Sequence, residues 1–131
     1  RMLKIDNREV KIRKMNGLTF VARDRNESIT KGFGAKDFSF WYNKNKDYID
    51  IIADRFIETD QDGFSILLFT YQKPRFSEQA RGEKQKLPIA GFTKLGKGKL
   101  VITTLRTDGF AGVNPVLDRF LMRIICNEDK N

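Results

Sequence analysis

This chain has no histidine and a single cysteine, Cys126. Without histidine there is no Ser-His-Asp or Cys-His nucleophile system and no imidazole ligand for zinc or iron. One cysteine excludes an internal disulfide and a cysteine-cluster metal site. Any proton transfer would fall to carboxylates, Lys, Tyr, Ser and Thr. No cofactor and no metal are expected. No apolar run approaches the ~18 residues needed to cross a bilayer, so no membrane partner is expected. Nor does a signal-peptide pattern open the chain. It begins at Arg1 rather than Met, which predicts processing or excision from something longer.

What is present suits one folded domain over residues 1–131. Apolar residues make up 40% of the chain, eleven of them Phe, which is enough for an ordinary core. The net charge is +8. Its carriers (Lys4, Arg8, Lys11, Arg13 and Lys14 early; Lys94, Lys97 and Lys99 late) mostly alternate with apolar residues, as on the solvated face of a strand. The alternatives are an anionic partner such as nucleic acid and a neighbouring acidic domain. A small nucleic-acid-binding protein would use Lys11, Arg13, Lys94, Lys97 and Lys99 on phosphates.

Hydrophobic patterning places the elements. Lys4–Met15 alternates weakly, and Asn16-Gly17 followed by Leu18–Ala22 predicts a hairpin. Asp24–Ser28 is a polar loop whose Asn26-Glu27-Ser28 sequon is treated as a chance match. Lys31–Gly34 is a bend leading to Asp37–Tyr42, the densest aromatic cluster. Asn43–Asp47 is a polar loop, and Tyr48–Glu58 leans to strand for its β-branched content. Asp60–Gly63 is a turn, and Phe64–Tyr71 is a central strand. Pro74–Lys86 predicts a surface loop. Leu87–Thr93 and Lys99–Leu105 predict an antiparallel pair. After it, Asn114 as N-cap, Pro115 at the first position and Asp118 in the first turn open a helix. Its Val116, Leu117, Phe120, Leu121, Ile124 and Ile125 form one wide stripe, expected to lie on a sheet that includes Lys99–Leu105. Cys126 is expected to be an inert core thiol.

Four features carry candidate chemistry. Gly96-Lys97-Gly98 is followed by a strand rather than a helix, so it is a hairpin turn and not a phosphate loop. The loop Asp108-Gly109-Phe110-Ala111-Gly112, with Asn114, lies between a strand end and a helix start. It is either a linker or a ligand site at the helix N-terminus. Phe38, Phe40, Trp41 and Tyr42 have three readings: core, contact with another domain, or stacking on a sugar or base. In the core reading Phe38, Phe40 and Tyr42 share a strand face, with Trp41 opposite. The carboxylates Asp37, Asp50, Asp54, Glu58 and Asp108 would suffice in kind for glycoside hydrolysis, but no spacing singles out a pair. No catalytic residue is assigned.

Two stretches carry a family resemblance. Ser28–Phe33 with Asp37–Tyr42 is the first; Gly96–Leu105 with Gly112–Arg119 is the second. Together they resemble the C-terminal accessory region of bacterial family-2 glycoside hydrolases, the β-galactosidase and β-glucuronidase relatives. The resemblance implies a degenerate class I glutamine amidotransferase-like domain. This would be a truncated, flavodoxin-like α/β sheet with an antiparallel hairpin and a C-terminal helix packed on it. The amidotransferase cysteine and histidine have no counterpart here, so the implied role is non-catalytic. This chain would be a fragment of a larger hydrolase, supporting or packing against its catalytic domain and possibly touching carbohydrate. The compartment is left open, with the periplasm or the outside of the cell favoured for that parent.

Overall fold

The computed structural model describes residues 2–5, 8–24, 27–59, 63–71 and 86–126. Among them are nine strands: β1 (Met2–Ile5), β2 (Arg8–Leu18), β3 (Ala22–Arg23), β4 (Tyr42–Asn43), β5 (Tyr48–Ile49), β6 (Ala53–Thr59), β7 (Phe64–Tyr71), β8 (Lys86–Leu95) and β9 (Gly98–Thr103). A 3-10 turn spans Ser28–Thr30, and one helix, α1, spans Pro115–Cys126. The expected loop over Pro74–Lys86 falls, apart from Lys86, outside the described residues. So do the first three residues of the Asp60–Gly63 turn and Asn26 of the sequon.

The strands form a three-stranded sheet in the order β1-β2-β6, a four-stranded sheet in the order β3-β7-β8-β9, and the ribbon β4-β5. Every strand pairing described is antiparallel. This overturns the expected flavodoxin-like α/β fold, since strand makes up 49% and helix 15% of the structure. A doubly wound sheet needs helices that return the chain to lay strands parallel. Here β8 and β9 are joined only by the turn at Leu95–Gly98, which forces them antiparallel, and α1 comes after the last strand. One strand–loop–helix unit at the C-terminus was an insufficient signature of an α/β domain.

The local signals fare unevenly. β7 lies inside its sheet, between β3 and β8, as its continuous apolar run predicts. The β8–β9 hairpin pairs Leu95 with Gly98 and sets Lys94 opposite Lys99. The hairpin expected at Asn16-Gly17 does not form. β2 runs straight through it to pair with β6, with a register shift between Lys14 and Leu18. Tyr48–Glu58 resolves into β5 and β6, with Asp50–Ile52 between them.

The main core joins residues of the sheets to residues of the loops and the helix. Ile52, Ala53, Leu67, Leu68, Ile89 and Ala90 supply its sheet side. Phe33, Phe38, Trp41, Phe110, Leu117 and Phe120 supply the other side. A smaller cluster joins Val10, Ile57 and Phe64. Beyond β9 the chain ties the sheets together. The Thr104 N–H donates to the Ile89 carbonyl at 2.8 Å, and its hydroxyl donates to the Arg55 carbonyl at 2.7 Å. Next, the Arg106 N–H donates to the Ile52 carbonyl at 2.8 Å.

Helix α1 starts where the sequence places it. Asn114 Oδ1 accepts from the N–H groups of Val116 at 2.9 Å and Leu117 at 3.2 Å. Its stripe is narrower than expected. Leu117 and Phe120 are buried, Val116, Leu121 and Ile124 are half-buried, and Ile125 is 74% exposed. Cys126 is exposed, not a core thiol. Phe120 meets the rings of Phe38 (5.4 Å between centroids) and Phe33 (6.3 Å) edge-on. Phe120→Ala should therefore lose roughly 3–5 kcal/mol in urea unfolding, while Ile125→Ala should stay within about 0.5 kcal/mol of the parent chain.

Candidate functional site

The aromatic segment divides in an unexpected way. Phe38 and Trp41 are buried, whereas Phe40 and Tyr42 are exposed, so the four do not alternate as a strand would place them. The reason is a turn. Residues 35–38 are turn, and the Trp41 indole N–H reaches back four residues to the Asp37 carbonyl at 2.8 Å. Asp37 Oδ2 in turn accepts from the Gly34 N–H at 2.7 Å. Phe40 then adopts a left-handed backbone, φ 56°, which rotates its ring out while Trp41 turns in. For a bulky side chain this conformation costs of order 1–3 kcal/mol. Flanking bonds hold it there: Phe40 N–H to the Thr19 carbonyl (2.7 Å) and Val21 N–H to the Phe38 carbonyl (2.9 Å).

From Tyr42 the chain makes a short ribbon. Tyr42 pairs with Ile49 and Asn43 with Tyr48, around a turn at residues 44–47. Tyr42, Tyr48 and Ile49 are each about half exposed or more, and so is Phe20, whose bridge partner is Ser39. The Tyr42 hydroxyl donates to Asp47. That bond to the carboxylate, followed by slight desolvation, pushes the Tyr42 phenol above its usual pKa.

Beneath the ribbon lies Asn43, only 1% exposed. Its Oδ1 accepts from the N–H groups of Asn45 at 2.9 Å and Lys46 at 3.2 Å, an Asx arrangement that closes the turn. Its Nδ2 donates to Asp50 Oδ2 at 3.1 Å and to the Asp108 carbonyl at 3.2 Å. Every hydrogen-bonding function of this buried amide is thus used. Asp50 is also held by the Lys46 ammonium at 3.2 Å and by the Ile51 N–H at 2.8 Å. Burial pushes the Asp50 carboxyl up. The Ile51 N–H, Lys46 and Asn43 outweigh that, and it titrates below the usual carboxylate range.

The loop after β9 docks on this clamp, so two groups of candidate residues meet. Asp108 offers its carbonyl to Asn43 and its Oδ1 to the Asn45 amide at 3.2 Å. The Gly109 carbonyl accepts from the Lys44 N–H at 3.2 Å, and Phe110 packs edge-on against Trp41 at 5.5 Å. Gly109 has φ 80°, and a side-chain carbon there would stand 2.0 Å from Asn43 Oδ1. Farther along, the Gly112 N–H donates to Asp118 Oδ1 at 2.8 Å, and Asn114 caps the helix. The N–H groups of Gly112, Val116 and Leu117 are therefore taken up by the chain's own side chains, leaving them to serve structure.

The remaining candidates are dispersed. Glu58 pairs with Arg13 at 2.7 Å, and Asp54 lies 3.9 Å from the neighbouring Arg55. Lys11 and Arg13 lie on β2, whereas Lys94, Lys97 and Lys99 belong to the β8–β9 hairpin of the other sheet. Among the described residues no group of three or more His, Cys, Asp or Glu is arranged to hold a metal ion. No helix of the described residues is long and apolar enough to cross a membrane. Comparisons with protein-family models, curated proteins and solved structures return no match.

Sequence reasoning missed Asn43, Asn45, Tyr48 and Ile49 as site residues. The Asn-x-Asn-x-Asp spacing of Asn43, Asn45 and Asp47 was the available signal, since it favours Asx turns over a plain loop. Two outcomes follow from the clamp. Asp50 has a depressed pKa in the fold, so its contribution is full above the unfolded value of about 3.9 and is lost as pH falls through the folded one. The stability gap between the parent chain and Asp50→Asn should hold steady from neutral pH to about pH 5 and close at lower pH, as read by urea midpoints. Gly109→Ala should lose roughly 2–4 kcal/mol in the same assay, from backbone strain and the broken Asn43 contacts.

Proposed function

We propose that this chain is a non-catalytic accessory domain of a larger carbohydrate-active hydrolase, docked on the catalytic domain of its parent through the surface Phe40–Ile49. Phe40 carries the reading. Phe40 is 62% exposed, yet the chain holds it in a strained backbone conformation, and among the described residues its ring packs against no other aromatic ring. Strain of this kind persists where the surroundings over-determine it, and it gathers at binding sites.

The surface has the make-up of a protein contact. Tyr42, Tyr48, Ile49 and Phe40 supply aromatic and aliphatic anchors, with Lys44 and Lys46 in the turn as a polar rim. The Asn43 clamp fixes the ribbon beforehand, which lowers the ordering cost of association. Aliphatic Ile49 beside the tyrosines favours a protein partner over a sugar. The segments Ser28–Phe33, Asp37–Tyr42, Gly96–Leu105 and Gly112–Arg119 supply the kind of parent by their resemblance to family-2 accessory regions. The doubly wound fold implied by that resemblance is set aside, and the reading rests on those segments and on the surface.

The test begins with the reading frame that encodes this chain, which should also encode a glycosidase catalytic domain. With the two parts expressed separately, calorimetry should detect their association. A Phe40→Ser, Tyr48→Ser double variant should weaken it by at least ~30-fold, the size of one lost anchor, without lowering the unfolding midpoint. A reading frame without such a domain refutes the proposal. Undiminished association of the double variant, or binding of the chain to oligosaccharide but not to the catalytic domain, refutes the docking surface.

A further inference from the structure

Arg119 and Arg123 stand one helical turn apart on α1 and converge on the bend that follows the 3-10 turn. Their guanidinium carbons lie 4.4 Å and 4.8 Å from the centroid of the same ring, that of buried Phe33. Both also reach Gly32. A side-chain carbon at that position would sit 3.5 Å from Arg123 Nη2 and 3.8 Å from Arg119 Nη2. Two positively charged nitrogens therefore flank one point above a bare α-carbon. Gly32 has φ 90°, a conformation that keeps the position glycine.

Among the described residues the arrangement lacks a counter-charge. Like charges four residues apart on a helix repel. Among the described residues no carboxylate pairs with either guanidinium. Arg123 Nη1 donates to the carbonyls of Ile29, at 3.1 Å, and Lys31. Arg119 Nη2 makes one long bond, 3.4 Å, to the Gly32 carbonyl. Arg123 Nη2, and the Nε and Nη1 groups of Arg119, meet no acceptor among the described residues.

We propose that Gly32, Arg119 and Arg123 form a binding site for a small oxyanion, a phosphate or carboxylate group seated over the Gly32 α-carbon between the two guanidinium groups. Planar guanidinium forks match the oxygens of both groups. Contact with the Phe33 ring holds the forks in place before the ligand arrives, and a bound anion offsets their mutual repulsion. The net charge of +8 raises the local concentration of anions around the chain. This site goes beyond the docking surface proposed above and does not rest on it.

Thermal unfolding of the whole chain tests the site, in sodium phosphate, sodium acetate and sodium chloride at equal ionic strength and neutral pH. Phosphate or acetate should raise Tm over chloride along a saturating curve, by roughly 4–8 °C at about ten times the dissociation constant. A response to phosphate alone identifies a tetrahedral group as the ligand, and a response to acetate alone identifies a carboxylate. Arg119→Gln should abolish the saturable rise while leaving Tm in chloride within ~2 °C, because Arg119 is exposed and its one bond is long. Arg119→Lys keeps the charge but not the fork, and should weaken binding at least ~5-fold by titration calorimetry. No saturable rise in the parent chain overturns the proposal, as does equal affinity in Arg119→Lys or an undiminished rise in Arg119→Gln.

Discussion

The contact on which the rest of this structure depends is a chain of aromatic rings. Phe33 touches Phe38 at 5.1 Å, Phe38 touches Trp41 at 5.9 Å, Trp41 touches Phe110 at 5.5 Å, and Phe120 closes on Phe33 and Phe38. None of these rings belongs to a strand. They come from the bend before β4, the loop after β9 and the helix, three segments with few ladder bonds of their own. Aromatic pairs add about 0.5–1.5 kcal/mol each beyond area burial, and the three edge-on pairs here fix angles as well as distances. Ring packing thus holds the irregular half of the chain against Leu67, Leu68, Ile89 and Ala90 of the sheets.

That anchoring also explains the surface beside it. Trp41 points into the core between two residues that point out, Phe40 and Tyr42. Directly after them comes Asn43, a fully engaged buried amide that ties the ribbon to the loop at Asp108. Buried polar groups are costly when unsatisfied, so a network in which each function has a partner selects one geometry over its neighbours. The exposed aromatics therefore stand on a base that is fixed from two sides, by packing at Trp41 and by hydrogen bonds at Asn43.

The legible parts of the sequence were those governed by neighbours along the chain. Asn114-Pro115 opens the helix, Gly96-Lys97 turns the hairpin, and the run Phe64–Tyr71 reads as an inner strand, because each depends on a few adjacent residues. The fold class was not legible, because one strand–loop–helix order is compatible with several architectures and the pairing of β2 with β6 is long-range. Asn16-Gly17 shows the limit. The dipeptide favours a turn, but here tertiary pairing carries the strand through it. The clamp was hidden for a similar reason. Asn43 and Asp108 are 65 residues apart, and no local pattern announces a bond between them. The split of the aromatic segment turned on a single left-handed residue, Phe40, a conformation that phenylalanine composition argues against.

β9 ends its sheet among the described residues, and an end strand offers its outer backbone groups to any passing strand. Across the rung that it shares with β8, Lys99 faces Lys94, and the Lys99 ammonium rests 4.6 Å from the Phe92 ring centroid rather than extending freely into solvent. A second molecule adding itself along this border would have to bring its polypeptide up to the rung that carries these two lysines. Lysines placed at an open edge are one of the devices that discourage growth into filaments. That protection weakens as added electrolyte shortens the reach of the charges.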